Sequence, residues 1–214
     1  MKHLVLTCGD PGGIGPEVIL KALLEVGKNK PFKATLVGGA CIFDDPYYLK
    51  WLQPIEKLFG SKFDKVKIDI GTIEKSAASA SNGRVSVEWI EEAARLVQAT
   101  QCSGLVTGPI CKEALMMAGI PYKGHTDLLE SLTLSSQVTM GFVTPQFSVA
   151  LATIHIPLAE VPKQLNETGL IQTIRHACKL SRRMGHSEPK VAVLGLNPHA
   201  GENGTMGTEE LWIR

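Results

Sequence analysis

An α/β architecture with a largely parallel sheet is the fold class that this sequence predicts. Short apolar runs of strand length alternate with longer segments of helical periodicity. Glycine and proline turns fall where the runs end. Composition is that of a globular chain, 44% hydrophobic and 20% charged over 214 residues, which is enough to bury a sizeable core. At roughly 100–200 residues per domain, the length holds one large domain or two small ones.

The elements follow in order. His3–Thr7 reads as a strand that runs into the loop Gly9-Asp10-Pro11-Gly12-Gly13-Ile14-Gly15-Pro16-Glu17. A helix is expected from Pro16, since proline suits a first turn, and Val18–Leu24 is apolar on most sides, as a buried helix requires. Ala34–Val37, closed by Gly38-Gly39, is the next strand, and Val66–Ile70 a third. Gly71–Gly83, rich in Ser and Ala, reads as an exposed connection. Val87, Ile90, Ala94 and Val97 mark an amphipathic helix, with Ser86 as its expected N-cap. Gly104–Thr107 is a short buried strand, and Lys112–Ala118 a helix stopped by Gly119 and Pro121. Val138–Thr144 and Ser148–Ile154 read as two strands joined at Pro145. A helix capped by Thr168 is expected to run to Gly185, with Arg182 and Arg183 in its last turn. Lys190–Leu196 reads as a further buried strand.

Charge excludes several function classes. Lys plus Arg is 22 and Asp plus Glu 21, a formal net charge of +1, which gives no support to a nucleic-acid or polybasic membrane partner. No apolar run approaches the ~20 residues of a membrane span. Met1-Lys2-His3-Leu4 enters a strand directly and lacks a signal-peptide core. Cys8, Cys41, Cys102, Cys111 and Cys178 are odd in number and scattered, as expected of reduced thiols in a cytoplasmic protein.

Ligands of open α/β sheets bind outside the carboxyl ends of the strands, and four segments stand there. Gly9–Glu17 joins a strand to a helix start through a glycine loop; it is neither a P-loop nor GxGxxG, and a tight structural turn and a ligand loop both remain open. Lys112, in Thr107-Gly108-Pro109-Ile110-Cys111-Lys112, is placed in the first turn of a helix, as a solvated lysine or as a proton acceptor. Asp127 with Glu130 resembles a capping box. That puts His125 and Thr126 at a helix N-terminus, suited to phosphate oxygens or simply packed in a loop. His155 and His199 are expected at the carboxyl ends of two buried strands, where they could share a metal, although two ligands do not complete a catalytic site. His3, His176 and His186 read as structural or exposed.

The glycine loop, Thr107–Lys112, Gly124-His125-Thr126, Ala150-Leu151-Ala152-Thr153-Ile154-His155-Ile156-Pro157-Leu158 and Leu196-Asn197-Pro198-His199-Ala200-Gly201-Glu202 occur in one order. Together they resemble the 4-hydroxythreonine-4-phosphate dehydrogenase family of pyridoxal phosphate biosynthesis, over essentially the whole chain. The resemblance implies an isocitrate/isopropylmalate dehydrogenase-like fold of two α/β lobes with a cleft between them, three-layered and flanked by helices. Residues 1–130 would form the first lobe with the glycine-rich loop, and 131–214 a second lobe that is incomplete at its C-terminus. It implies oxidation of 4-phosphooxy-L-threonine by NAD or NADP, with loss of carbon dioxide to give 3-amino-2-oxopropyl phosphate. It implies a divalent metal (zinc, magnesium or cobalt) and a cytoplasmic homodimer with the metal site completed across the interface. By the same resemblance His125 and Thr126 bind substrate, and His155 and His199 ligate the metal.

The departure from the family lies at the C-terminus. Family members are longer. Their third metal-binding histidine, a substrate-binding lysine, asparagine and arginine, and most dinucleotide contacts lie downstream of what is present here. The expectation is therefore a truncated chain with little dehydrogenase activity by itself. The alternatives are a 4-phospho-threonate or 4-phospho-erythronate dehydrogenase of the same family, or a non-catalytic phosphate- or metal-binding fragment.

Overall fold

The computed structural model describes residues 1–29, 31–69, 71–100, 102–135 and 137–213. The chain divides into two compact units, Met1–Ser135 and Ser136–Arg214.

The first unit is a four-stranded parallel sheet with its helices. Strand β1 (His3–Thr7) leads to helix α1 (Gly15–Gly27), then β2 (Lys33–Gly38), α2 (Ala40–Phe43), α3 (Pro46–Phe59) and β3 (Phe63–Lys67). After these come α4 (Ala80–Thr100), β4 (Gly104–Thr107), α5 (Lys112–Met117) and α6 (His125–Thr133). Strand order is β3-β2-β1-β4, with Leu4 paired to both Ala34 and Gly104. Val5, Leu6, Leu36 and Val37 from the strands pack with Ile19, Leu20 and Leu23 of α1, Leu52 and Ile55 of α3, and Trp89 and Ala93 of α4. Another face of α4 gives Val87 and Ile90 to a smaller cluster with Leu115 of α5 and Leu128 of α6. This second contact fixes α6, and therefore its first residue, on the rest of the unit.

Several boundaries differ from the sequence expectation, for local reasons. Helix α4 starts before Ser86, because Ser79 caps it: Asn82 N donates to Ser79 Oγ at 3.2 Å. Ser86 is buried inside the helix, where its hydroxyl donates to Asn82 O at 2.7 Å. The polar first turn hides this start from an apolar-periodicity search. Helix α3 was not expected. It carries an internal Pro54, yet Asp45 caps it with a carboxylate that accepts from Tyr47 N, and Leu52, Ile55 and Phe59 line its buried face. The third strand lies at Phe63–Lys67 rather than at Val66–Ile70, and Ile70 itself lies outside the described residues.

The second unit has a two-stranded antiparallel sheet, β5 (Gly141–Val143) and β6 (Ser148–Ala150), shorter than the two strands expected. Thr144 makes the turn: its hydroxyl accepts from Phe147 N at 3.1 Å and donates to Phe147 O at 2.7 Å. The short α7 (Val161–Gln164) precedes α8 (Glu167–Arg183), and α9 (Glu210–Ile213) ends the unit. Asn166, not Thr168, caps α8, its side chain accepting from Gly169 N at 2.9 Å. Lys190–Leu196 forms no strand, and Leu194 is 85% exposed. An apolar run becomes a buried strand only beside a partner ladder, and no described residue pairs with it. No helix among the described residues is long and apolar enough to cross a membrane.

Candidate active site

The strand order places a topological switch point between β1 and β4, since the chain leaves β1 toward β2 on one side and reaches β4 on the other. Ligands bind at such points, outside the carboxyl ends of the strands. Two glycine loops meet there. Asp10 N donates to Pro109 O at 2.8 Å, and Gly108 N to Thr7 O at 3.0 Å. Gly9 has φ +75°, and a Cβ there would stand 2.3 Å from Pro109 O, so only glycine allows this backbone approach.

Asp10 is buried beneath the loop, and its Oδ1 accepts from Gly12 N at 2.9 Å. Burial pushes its carboxyl above the ordinary range, partly opposed by the Gly12 hydrogen bond. Asp10, Gly12, Gly13, Ile14, Ser76 and Ala77 line an open hollow of about 440 Å³. Its far wall is held by the buried Asn82, which accepts from Glu74 N and donates to Glu74 O and Ala77 O. Sequence reasoning passed over Asp10 and Asn82. The signal for Asp10 was present, an acid enclosed by Gly9 and Gly12; Asn82 had none.

Helix α6 starts at His125, with Gly124 at the N-cap and no side-chain cap. Asp127 is thus inside the first turn rather than at its start, and its carboxylate accepts from Lys123 N. His125 Nε2 is buried and has no hydrogen-bond partner, the one such side-chain atom among the described residues. Burial lowers the pKa of the ring, and a hydrogen bond with the Gly108 backbone acts against that shift. The site therefore holds a neutral imidazole with one unpaired nitrogen. Buried polar atoms are rarely left in this state, so this nitrogen is placed to bond a ligand group. Thr126 is the next residue of the same turn. Lys112 is the first residue of α5 and exposed; its Cε lies 3.9 Å from where a Cβ on Gly124 would stand. A cation at a helix start opposes the helix dipole, so its position gains nothing for α5. The structure thus brings Gly108, Lys112, Gly124 and His125 to one edge of the first unit.

His155 and His199 belong to the second unit, and neither ends a strand. The two strands expected beneath them are short in one case and absent in the other. Both side chains are exposed, and both residues have left-handed backbones, φ +53° and +51°. His199 opens a run with Ala200, Gly201, Glu202 and Asn203 all at positive φ, at roughly 1–2 kcal/mol for each non-glycine residue. The run is anchored by Glu210, whose carboxylate accepts from Asn197 N at 2.6 Å and from Asn197 Nδ2 at 2.9 Å. Those bonds hold the Glu210 carboxyl below its usual range. Two imidazoles are suitable donors for a divalent ion. Among the described residues no group of three or more His, Cys, Asp or Glu stands where it could hold one.

A parallel sheet with glycine loops at its switch point defines the class of open α/β proteins, whose ligands bind at the carboxyl edge. Residues 34–213 match the family model described as pyridoxal phosphate biosynthetic protein PdxA. The 4-hydroxythreonine-4-phosphate dehydrogenase of Sulfurihydrogenibium sp. is 33% identical, over 98% of this chain and 67% of the relative. The D-threonate 4-phosphate dehydrogenase of Salmonella typhimurium is 34% identical, over 99% of this chain and 68% of the relative. Among solved structures, the 4-hydroxythreonine-4-phosphate dehydrogenase from Klebsiella pneumoniae superposes with TM-score 0.80 at 32% identity, covering 98% of this chain and 67% of that one. The chain belongs to the PdxA family and has its isocitrate/isopropylmalate dehydrogenase-like fold. Its relatives are dehydrogenases, and it spans about two thirds of their length.

Proposed function

We propose that this chain carries the phosphate-anchoring part, and two metal ligands, of a dehydrogenase. The enzyme would oxidise 4-phosphooxy-L-threonine with NAD or NADP and release 3-amino-2-oxopropyl phosphate after decarboxylation. The observation that carries the reading is the unpaired Nε2 of His125 at the start of α6. Free amides of that first turn, the Thr126 hydroxyl and His125 would hold the phosphate, with α6's dipole favouring its charge. Anchoring a remote group in this way orients the reacting carbon. Lys112, reaching toward Gly124, is the candidate proton acceptor for the substrate hydroxyl. His155 and His199 would hold the divalent metal (zinc, magnesium or cobalt) as two of its ligands, the set being completed in a homodimer. When bound, the nicotinamide accepts hydride and the metal draws charge from the hydroxyl oxygen. A cytoplasmic location belongs to the same reading. The Salmonella relative, as similar as the first, favours 4-phospho-threonate as the alternative substrate.

Calorimetric titration tests the reading without turnover. Inorganic phosphate is expected to bind the purified chain, and His125→Asn to weaken it roughly tenfold, as loss of a charge-assisted hydrogen bond does. Zinc affinity is expected to fall in both His155→Ala and His199→Ala. Phosphate affinity unchanged in His125→Asn would remove the anchor, and zinc affinity unchanged in both histidine variants would remove the metal ligands. Binding of the two phosphorylated substrates, measured side by side, decides between them.

A further inference from the structure

At the opposite edge of the sheet, where the strands begin, three side chains form a hydrogen-bonded chain. Cys102 Sγ lies 3.2 Å from His3 Nδ1, and His3 Nε2 lies 2.9 Å from Thr35 Oγ1. The register accounts for the meeting. Cys102 stands just ahead of β4, His3 opens β1, and β2 places Thr35 beside Val5. The backbone clamps them, since His3 N donates to Ser103 Oγ at 3.1 Å and Ser103 N to His3 O at 2.8 Å. Thr100 Oγ1 also faces the sulfur, at 2.9 Å, while its own hydroxyl donates to Leu96 O at 2.6 Å.

We propose that Cys102, with His3 as its base and Thr35 orienting the ring, is a reactive thiol site for soft electrophiles and peroxides. A nucleophile within reach of a base that a third group orients is the arrangement that activates a thiol. Thr35 Oγ1 can accept a hydrogen bond from Nε2–H, the tautomer that leaves the Nδ1 lone pair for the thiol. Burial and the nearby Lys33 ammonium lower the pKa of His3, with Asp64 opposing, so the ring is an available acceptor at neutral pH. Cys102 is half-buried and reachable. Cys8 is wholly buried, and Cys41 has its thiol pushed up to about 11 by burial, so both are poor nucleophiles. Cys111 and Cys178 are half-buried like Cys102, but among the described residues neither bonds an imidazole. They serve as internal controls.

With iodoacetamide, the sulfur bonds to the methylene carbon, the carbon–iodine bond breaks, iodide leaves, and the thiol proton passes to His3. With hydrogen peroxide, the sulfur attacks one oxygen and the O–O bond breaks. The thiol proton, relayed by His3, converts the departing hydroxide to water. Sulfur is oxidised by two electrons to a sulfenic acid, and peroxide is reduced. At about 3.3 Å per residue, the length of β1 separates this thiol from the glycine loops.

Limited alkylation at neutral pH, quantified for each cysteine by peptide mass spectrometry, tests the proposal. Cys102 is expected to react roughly tenfold faster than Cys111 and Cys178. His3→Gln is expected to bring it down to their rate while theirs stay unchanged, and Thr35→Val to slow it by a smaller factor. Peroxide with a sulfenic-acid trap is expected to mark Cys102 first. Equal rates at Cys102, Cys111 and Cys178, or an unchanged Cys102 rate in His3→Gln, would overturn it. If labelling of Cys8 shows that His3→Gln has unfolded, Thr35→Val decides: a slower Cys102 supports the proposal and an unchanged rate overturns it.

Discussion

The two units differ in what holds them. In the first, strands and helices enclose an apolar core, and every buried hydrophobic side chain among the described residues lies at or before Leu128. In the second, the buried side chains are Thr173 and Glu210, and order near His199 comes from a carboxylate bonded to Asn197. Each candidate group inherits its unit's physics. His125 is the first residue of a helix that is packed on the core, so its unpaired nitrogen is held in place. His155 and His199 stand exposed on left-handed backbone, so their placement depends on a few polar bonds.

The largest expected effect separates the units by burial. Leu20 is fully buried in α1, while Leu194 is 85% exposed. Leu20→Ala should cost about 2–5 kcal/mol in urea unfolding, from lost transfer energy and the cavity left behind. Leu194→Ala should stay within about 0.5 kcal/mol. Equal costs would mean that the second unit hides an apolar core of its own.

A smaller and more local effect is expected from Glu210→Ala. It removes the acceptor of the Asn197 backbone amide, which is left unpaired, and one of the two acceptors of Asn197 Nδ2, which keeps its bond to Glu209 Oε2. Hydrogen exchange should speed up across 197–206 and stay unchanged in β1, β2 and α1. Slower or unaltered exchange at 197–206 would show that the left-handed run holds without its carboxylate. Where it does speed up, zinc affinity should fall with it, because His199 sits within the released segment.

Legibility of the sequence followed the same division. Strands β1, β2 and β4 and helix α1 were readable because each is an apolar run closed by glycine or proline. The start of α4 was not, because Ser79 caps it ahead of a polar turn. Helix α3 was hidden by Pro54, whose cost is offset by Leu52, Ile55 and Phe59 in the core. Lys190–Leu196 was misread because an apolar run signals a strand only when another strand takes its backbone bonds. At the site, the motif around His125 was legible as a helix start. Its unpaired Nε2 and its Gly108 bond were not, since both need the β4 loop folded back beside α6. The left-handed backbone at His155 and His199 had no signature in residue type.

Acid sharpens the comparison with the gentlest perturbation. His125 is depressed below 6.5 by burial, and His3 below 6.5 by burial and Lys33. In each case the unfolded chain takes up a proton that the folded unit resists. Stability from these neutral rings is therefore complete above 6.5 and is lost as pH falls through their lowered folded values. Glu210 is depressed below 4.5 by its bonds from Asn197, so its contribution is present above 4.5 and is lost only as pH falls below that. Asp10 acts in the opposite sense: burial raises it above 3.8, so protonation relieves the first unit as pH falls through that raised value toward 3.8. Hydrogen exchange followed from pH 7 downward should thus show β1 and β4 amides weakening between 6.5 and 4.5, while 197–206 holds until below 4.5. His125→Asn should flatten the first slope and leave the second untouched. If 197–206 loosened together with β1 and β4, the bonds to Glu210 would not be what sets the stability of that segment.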